Sequence, residues 1–442
     1  HIRKVHTMKT VKDYIRTIPD FPEKGIMFRD VTSVIQDADG LKLAIDEMIK
    51  RLDGLDFDVI AGAESRGFVF GMPIAYALHK PFVMVRKAGK LPCETVSKTY
   101  DLEYGTATIE MHKDSVKPGQ KVVLVDDLIA TGGTMQAAVV TGCTGAVGLG
   151  LIDALMKNNV KVIAVVRKDS KRSYRIKESH SLKKVECDLS ELDKLPQLVQ
   201  ATGIKPDVFY HFGWDGTFGD CRNDMYIQNM NVKYALDAVN AAAVMGCSAF
   251  IGAGSQAEYG RVEGKLNSQV PAFPENGYGM AKLCAGQMTR IQCEKLGIRH
   301  IWTRILSVYG PYDGSATMVM STIGKLLIGE KPSCTKGEQM WDYLYSKDAG
   351  KAFYLLGEKG INGKVYCIGG GEARPLKDYI EDIRNAVNPE AEIGFGEVAY
   401  GPRQVMYLCA DIQDLVKDTG FAPDYKFSEG IAETVEWCKK EI

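Results

Sequence analysis

TGGTMQAAVVTGCTGAVG, residues 131–148, decides how this chain is built. Thr131–Thr134 is a Thr-Gly-Gly-Thr turn that follows an apolar run and two aspartates, KVVLVDDLIA (121–130). Gly142, Gly145 and Gly148 follow GxxGxxG spacing ahead of a second apolar segment, LGLIDALMKNN (149–159). Each turn is of the kind that ends a strand, opens a helix and lets backbone N–H groups close around a phosphate. Only Thr134–Ala138 separate the first turn from the Val139-Val140 run. A helix and a strand rise differently and aim side chains differently, so these residues cannot serve as both. Two valines are too few for a buried strand unless Met135–Ala138 extend them. The expectation is that they do. The first half then loses the helix after its loop, with the N-terminal dipole that holds phosphate. Its sheet should keep an unpaired edge and an exposed apolar face.

Outward from that join, short apolar runs recur with helix-length segments between most of them. They are FDVIAGA, PFVMVR, KVVLVDD, VKVIAVVR, PDVFYHFG, SAFIGAGS, IRHIWTRIL and KVYCIGG. The alternation predicts an α/β chain with parallel sheets. With 442 residues there is length for two or three domains, and the expected division is 8–138 and 139–442. The 45% hydrophobic and 25% charged content is that of a globular protein. A net charge of -1 argues against broad binding to nucleic acid or anionic membrane. No apolar run has the length of a membrane span and no signal peptide is apparent, so a cytoplasmic protein is expected. The eleven cysteines form no CxxC pair, which points to reduced thiols and to no zinc site. Met8 is the expected natural start.

In the first half the DD pair of Asp126 and Asp127 is placed to accept hydrogen bonds from ribose hydroxyls. Thr131 and Thr134 add donors to the glycine turn. An acidic strand end capping a helix is the plainer reading of a DD pair alone; the attached ATGGT favours the phosphate reading. The segment resembles the adenine phosphoribosyltransferase family, truncated at its C-terminal side. IPDFPEKGIMFRDVTSVI is similar to the family's base-binding hood, AGAESRGFVFG to its pyrophosphate loop, and VRKAGKLPCETVSKTYDLEYG to its catalytic loop. The resemblance implies that Phe28 and Arg29 flank adenine. Ser65 and Arg66 hold pyrophosphate with Mg²⁺, Arg86 and Lys90 reach the leaving group, and Glu103 and Tyr104 come from the closing loop. Ala130, Thr131, Gly132, Gly133 and Thr134 bind the 5-phosphate. Pyrophosphate leaves C1 of ribose as a purine nitrogen attacks. The site must therefore neutralise the leaving group and exclude water.

In the second half the glycines provide a tight turn, a close approach to pyrophosphate and tight helix–strand packing. Arg167 ends the next strand, with Lys168, Lys171 and Arg172 close by, where NAD-preferring proteins carry an acid. A 2′-phosphate and a solvated basic turn are both open readings, so the cofactor is NADP or NAD. Tyr278 and Lys282 are four apart, on one helix face, with Ser255 at a small-residue strand end upstream. A lysine ammonium beside the tyrosine is expected to lower its phenol pKa.

This half resembles the extended short-chain dehydrogenase/reductases that act on nucleotide sugars, with a Rossmann doubly wound parallel sheet and a small C-terminal substrate region. The resemblance implies that Asp188 contacts adenine, that Asn231 belongs to the cofactor-binding helix, and that Ser255, Tyr278 and Lys282 are catalytic. In the dehydratase subgroup an Asp-Glu pair follows the Ser/Thr; here Gln256 and Ala257 follow Ser255. Glu258 comes one position late and is expected on the other face of a strand. Epimerase or keto-sugar reductase chemistry is therefore expected. His211 and Trp214 are open between a structural role and contact with nicotinamide or substrate. Three readings of the whole remain. One is an oxidoreductase or epimerase carrying a transferase remnant. The second is a bifunctional enzyme that also makes AMP from adenine and phosphoribosyl pyrophosphate. The third is an oxidoreductase with a phosphoribosyl pyrophosphate sensor. Both families commonly form homodimers.

Overall fold

The structure, a computed structural model, describes residues 10–19, 27–102, 105–126, 135–402 and 404–441. It divides into two compact units, His1–Gly132 and Gly133–Ile442.

In the first unit, β1 (Arg16–Pro19) and β2 (Met27–Asp30) form an antiparallel pair, followed by a one-turn helix α1 (Thr32–Ile35). Asp37 caps α2 (Ala38–Leu52) by accepting from the N–H groups of Asp39 and Gly40. A five-stranded sheet follows. It contains β3 (Val59–Ala63), β4 (Phe82–Lys87), β5 (Thr95–Leu102), β6 (Gly105–His112) and β7 (Val122–Val125), in the order β5-β6-β4-β3-β7. β3 runs parallel to β4 and β7, and β5–β6 is an antiparallel hairpin. Helix α3 (Arg66–Ala77) packs Phe70 and Ile74 with Ile60 and Val125 on one face of the sheet. The opposite face holds a smaller cluster around Val59, Ala61 and Val83. Val122 and Leu124 pair with Val59 and Ala61 and so share that face, yet they are 43% and 54% exposed. Among the described residues β7 pairs with β3 alone. Among the described residues, the open edge and bare apolar face expected from the join are both present.

The second unit starts its sheet directly at the join. Ala137–Thr141 is β8, fully buried, so Ala137 and Ala138 extend the two valines as a strand, while Met135 and Gln136 stay outside it. There follow α4 (Ala146–Lys157), β9 (Lys161–Val166), β10 (Leu182–Glu186), α5 (Leu195–Gln200), β11 (Val208–His211) and α6 (Met225–Met245). Then come β12 (Ala249–Ser255), α7 (Gly277–Leu296), β13 (Arg299–Ile305), β14 (Ser307–Tyr309) and α8 (Met318–Leu327). The short β15 (Tyr343–Tyr345) pairs with β14 and leads into α9 (Ser346–Lys359) and β16 (Val365–Ile368). The seven-stranded sheet is parallel throughout, in the order β10-β9-β8-β11-β12-β13-β16. Leu151 and Leu155 of α4 and Phe353 of α9 pack on one face, and Ala238 and Val239 of α6 with Cys293 of α7 on the other. The near-continuous apolar strands reflect burial on both faces. Strand order reverses between β8 and β11, which makes the carboxyl ends of those strands the crevice of the sheet.

Candidate functional site

The glycine loop lies at that crevice. Gly142 adopts φ +66°, and an added Cβ there would stand 2.5 Å from the Phe212 carbonyl carbon at the end of β11. A Cβ on Gly148 would stand 2.6 Å from the Gly142 oxygen, so bare glycine lets α4 pack onto the loop. Gly145 differs. Its added Cβ meets only the Gly142 oxygen at 4.0 Å, and Gly145 caps α4 with no side-chain hydrogen bond. That leaves room above the start of α4, whose first-turn N–H groups are the kind of donors that an anion takes up. Thr141 Oγ1 accepts from the N–H groups of Phe212 and Gly213 and hydrogen-bonds His211 Nδ1 at 3.0 Å.

Arg167 is exposed at the end of β9, its Nη1 3.9 Å from Asp215, with Lys168, Lys171 and Arg172 also exposed. Asp188 is half-buried and starts a short 3-10 turn without a side-chain capping bond. Asn231 is buried; its amide accepts from the Asp215 N–H and donates to the Asp215 and Ile227 carbonyls. It therefore pins the loop after β11. Arg175 reaches the glycine loop from outside the motif, donating to the Thr144 carbonyl.

Ser255, Tyr278 and Lys282 converge at the carboxyl end of β12. Asn276 caps α7 through the Gly279 N–H, which sets Tyr278 in the first turn of the helix. The Ser255 side chain lies beside the Tyr278 phenol and pulls its pKa down. The expected lowering of the phenol by the lysine is corrected by the structure. Burial pushes the Tyr278 phenol above its ordinary value, against the pull of Ser255 and Arg222. Lys282 Nζ donates to the Ala253 carbonyl at 2.6 Å and lies 3.7 Å from the Trp214 ring centroid, but 5.7 Å from that of Tyr278. Its burial lowers it to about 7. Trp214 is fixed by its Nε1–H, donated to Gln228. His211 is buried, stacked on Phe250 and hydrogen-bonded to Thr141, and burial drops it to about 3.

Glu258 is corrected in its surroundings as well. The chain leaves β12 at Ser255 and turns at once into a 3-10 helix, Gln256–Glu258, with Ser255 and Glu258 forming a capping box. The Glu258 carboxylate is fully buried and accepts from Ser255 N, Trp302 Nε1 and Arg304 Nε at 2.9, 3.0 and 2.8 Å. It is a fixed acceptor under the site.

In the first unit, Ser65 and Arg66 are exposed at the start of α3, after β3. Asp126 follows β7; an added Cβ on Gly67 would be 3.3 Å from its carboxylate, so the end of β7 and the first turn of α3 meet closely. Arg86 and Lys90 are brought together by Glu64, which sequence reading passed over. Its carboxylate takes Lys90 Nζ at 2.7 Å, Arg86 Nε at 3.3 Å and the Lys87 N–H at 3.0 Å. Lys90 and its neighbours hold Glu64 down at about 2. Glu103, Tyr104, Asp127, Ala130, Thr131, Gly132, Gly133 and Thr134 lie outside the described residues, as do the side chains of Phe28 and Arg29.

Two enzyme classes are thus joined end to end, a phosphoribosyl-type site and a dinucleotide site with a Ser–Tyr–Lys group. Residues 138–369 match the NAD dependent epimerase/dehydratase family and residues 32–141 the phosphoribosyl transferase domain. The adenine phosphoribosyltransferase of Butyrivibrio fibrisolvens is 82% identical over 131 residues, 30% of this chain and 73% of that protein. That of Lachnoclostridium phytofermentans is 72% identical over 130 residues, 29% of this chain and 75% of that protein. Among solved structures, the UDP-N-acetylglucosamine 4-epimerase of Methanobrevibacter ruminantium has TM-score 0.63 at 23% identity, covering 70% of this chain and all of that one. The NAD complex of Bacillus cereus UDP-glucuronic acid 4-epimerase has TM-score 0.60 at 21% identity, covering 69% and 99%. At such identities the likeness is one of fold. The chain belongs to the NAD dependent epimerase/dehydratase family and carries an N-terminal domain of the adenine phosphoribosyltransferase family, so it is a fusion of the two.

Proposed function

We propose that the second unit is an NAD(P)-dependent epimerase or keto-sugar reductase acting on a nucleotide sugar. One observation carries this: Ser255 and Tyr278 come together at the end of β12, and the oxygens of the nearby Glu258 are taken by three donors. Glu258 is thereby withdrawn from acid–base work, and Gln256 and Ala257 bring no acid for dehydration. When bound, the nicotinamide supplies the acceptor or donor of hydride. Ser255 orients the reacting hydroxyl or carbonyl of the sugar, and Tyr278 takes the hydroxyl proton or returns it to the oxygen. Gly142, Gly145 and Gly148 hold the pyrophosphate. Arg167 and its basic neighbours favour NADP. A cleft of about 260 Å³ between α8 and the 332–339 segment, lined by Ser321, Lys325, Thr335 and Gln339, offers room and polar groups for part of the nucleotide.

The test is to incubate the purified chain with NADP⁺ or NAD⁺ and a panel of nucleotide sugars, following products by NMR. An inverted hydroxyl, or reduction of a keto-sugar when NADPH is supplied, supports the reading. A 6-deoxy-4-keto product would overturn it.

For the first unit, the Glu64–Arg86–Lys90 cluster favours retained binding of phosphoribosyl pyrophosphate, with Mg²⁺ carried on that substrate. The loss of the helix after the loop argues against turnover. Quantifying AMP from adenine, phosphoribosyl pyrophosphate and Mg²⁺ decides this. Release at an enzymatic rate means a bifunctional enzyme, and binding without AMP means a sensor or remnant.

A further inference from the structure

Tyr278 has a cationic neighbour that no motif marks, Arg222. Arg222 lies on a short 3-10 turn, Gly219–Asn223, in the connection from β11 to α6. Its guanidinium carbon stands 4.4 Å from the centroid of the Tyr278 ring, and its Nη1 donates to the Thr217 carbonyl at 2.9 Å. The turn is tied to the start of α7 by a second contact, the Gly277 N–H to Asn223 Oδ1 at 3.0 Å. Arg222 is therefore held over the ring from both sides of its own turn.

The other charges around Tyr278 are already committed. Glu258 is paired with Arg304. Asp224 caps α6 through the N–H groups of Tyr226 and Ile227, and Glu275 pairs with Arg261. Lys282 donates a hydrogen bond to the Ala253 carbonyl and sits over the face of Trp214, and burial brings it to about 7, so its charge is only partly present at neutral pH. An arginine stays charged at every relevant pH, and its planar cation suits an aromatic face. It favours a ring that carries negative charge more than a neutral one.

Building on the reading of Tyr278 as the acid–base residue, we propose that Arg222 is a positioning residue for it, holding the ring against α7 and supplying the fixed positive charge beside its phenol. The duty usually sought in the lysine four residues on is here shared with a residue from another element.

The test reads the phenol itself. The full chain is labelled with 3-fluorotyrosine, whose more acidic phenol titrates where the fold persists, and the Tyr278 resonance is identified by its loss in Tyr278→Phe. Fluorine NMR against pH is then recorded for wild type, Arg222→Gln, Arg222→Lys and, as a control on the exposed Lys439–Glu436 ion pair of the last helix, Lys439→Gln. The expected result is a midpoint about one pH unit higher in Arg222→Gln, less in Arg222→Lys, and unmoved in Lys439→Gln. A midpoint equal to wild type in both Arg222 variants overturns the proposal. If Arg222→Gln does not fold, Arg222→Lys alone decides by the same criterion. No substrate is involved, so a failed search for the nucleotide sugar leaves this result standing. Where turnover is found, Arg222→Gln should lower kcat about tenfold below the phenol midpoint, with KM little changed.

Discussion

Replacing Glu258 by glutamine should unfold the second unit far more readily while leaving its shape unaltered. The carboxylate is wholly buried, and the side chain of its partner Arg304 is 6% exposed. Every neighbour of the carboxylate donates: Ser255 N, Trp302 Nε1 and Arg304 Nε. Burial pushes the Glu258 carboxyl upward, yet a site built only of donors accommodates the ionised form. In Glu258→Gln one oxygen can still serve Ser255 and Trp302, but the amide N–H₂ then faces the Arg304 N–H, donor against donor. Arg304 also keeps its charge with no counter-ion, and its Nη1 already has no partner. Removing one member of a buried pair costs about 3–5 kcal/mol. At about 2 °C per kcal/mol for a large domain, the transition should fall by about 6–10 °C.

The assay is calorimetry on the full chain, following the transition that NADP⁺ raises and that therefore belongs to the second unit. Glu258→Met combined with Arg304→Met removes both charges and should recover most of the loss. A fall smaller than about 2 °C in Glu258→Gln, equivalent to about 1 kcal/mol, would mean that Arg304 is solvated and the pair weak. Full stability with lost turnover would be worse for the reasoning. It would make Glu258 a participant in proton transfer and reopen dehydration.

Three further outcomes follow from the same geometry. Gly148→Ala should fail to fold its unit or lose dinucleotide binding, because its Cβ meets the Gly142 oxygen at 2.6 Å; Gly145→Ala should fold normally and weaken binding alone, as read by nucleotide fluorescence and melting in parallel. Arg167→Asp should turn the preference from NADP towards NAD, seen as opposite changes in the two dissociation constants, and equal effects on both would count against a 2′-phosphate site. Glu64 is held at about 2 against an ordinary 4.5, so the stability that it lends the first unit is complete above about 4.5 and is lost as pH falls towards 2; Glu64→Gln should flatten that acid limb in a pH series of melts.

The strands were legible because each is a short apolar run closed by glycine or polar residues, and burial on both faces of a parallel sheet demands that pattern. The glycine loop and the Tyr278–Lys282 spacing were legible because both are local. The phenol's surroundings were not. Spacing puts Lys282 on the same helix face as Tyr278, but where its amine goes is decided by the Ala253 carbonyl and Trp214, which other elements bring. Arg222 left no mark at all, being one arginine in a turn whose position depends on tertiary contacts. Glu64 stood inside a quoted motif, yet its bridging of Arg86 and Lys90 depends on β3 and β4 lying side by side. Glu258 is a different case. Ser255-x-x-Glu258 has the spacing of a capping box, and reading it so would have placed the acid on a turn with its carboxylate turned inwards.

The join itself shows which of two sequence demands prevails when they compete for the same residues. As a strand, Ala137–Thr141 pairs on both sides, with β9 and with β11, and buries every side chain. As a helix it would have covered one face of a smaller sheet and capped one phosphate loop. Two ladders of parallel hydrogen bonds and complete burial outweigh that, because a central strand is what allows the remaining six to form. The deficit falls on the first unit, where, among the described residues, Val122 and Leu124 remain bare and β7 remains an edge. An exposed apolar edge strand of this kind pairs readily with other chains. Charged substitution there, Val122→Lys with Leu124→Glu, should reduce aggregation of the purified chain in light scattering without moving the transition that NADP⁺ stabilises. If aggregation is unchanged, the bare face is not the weak point that the lost helix predicts.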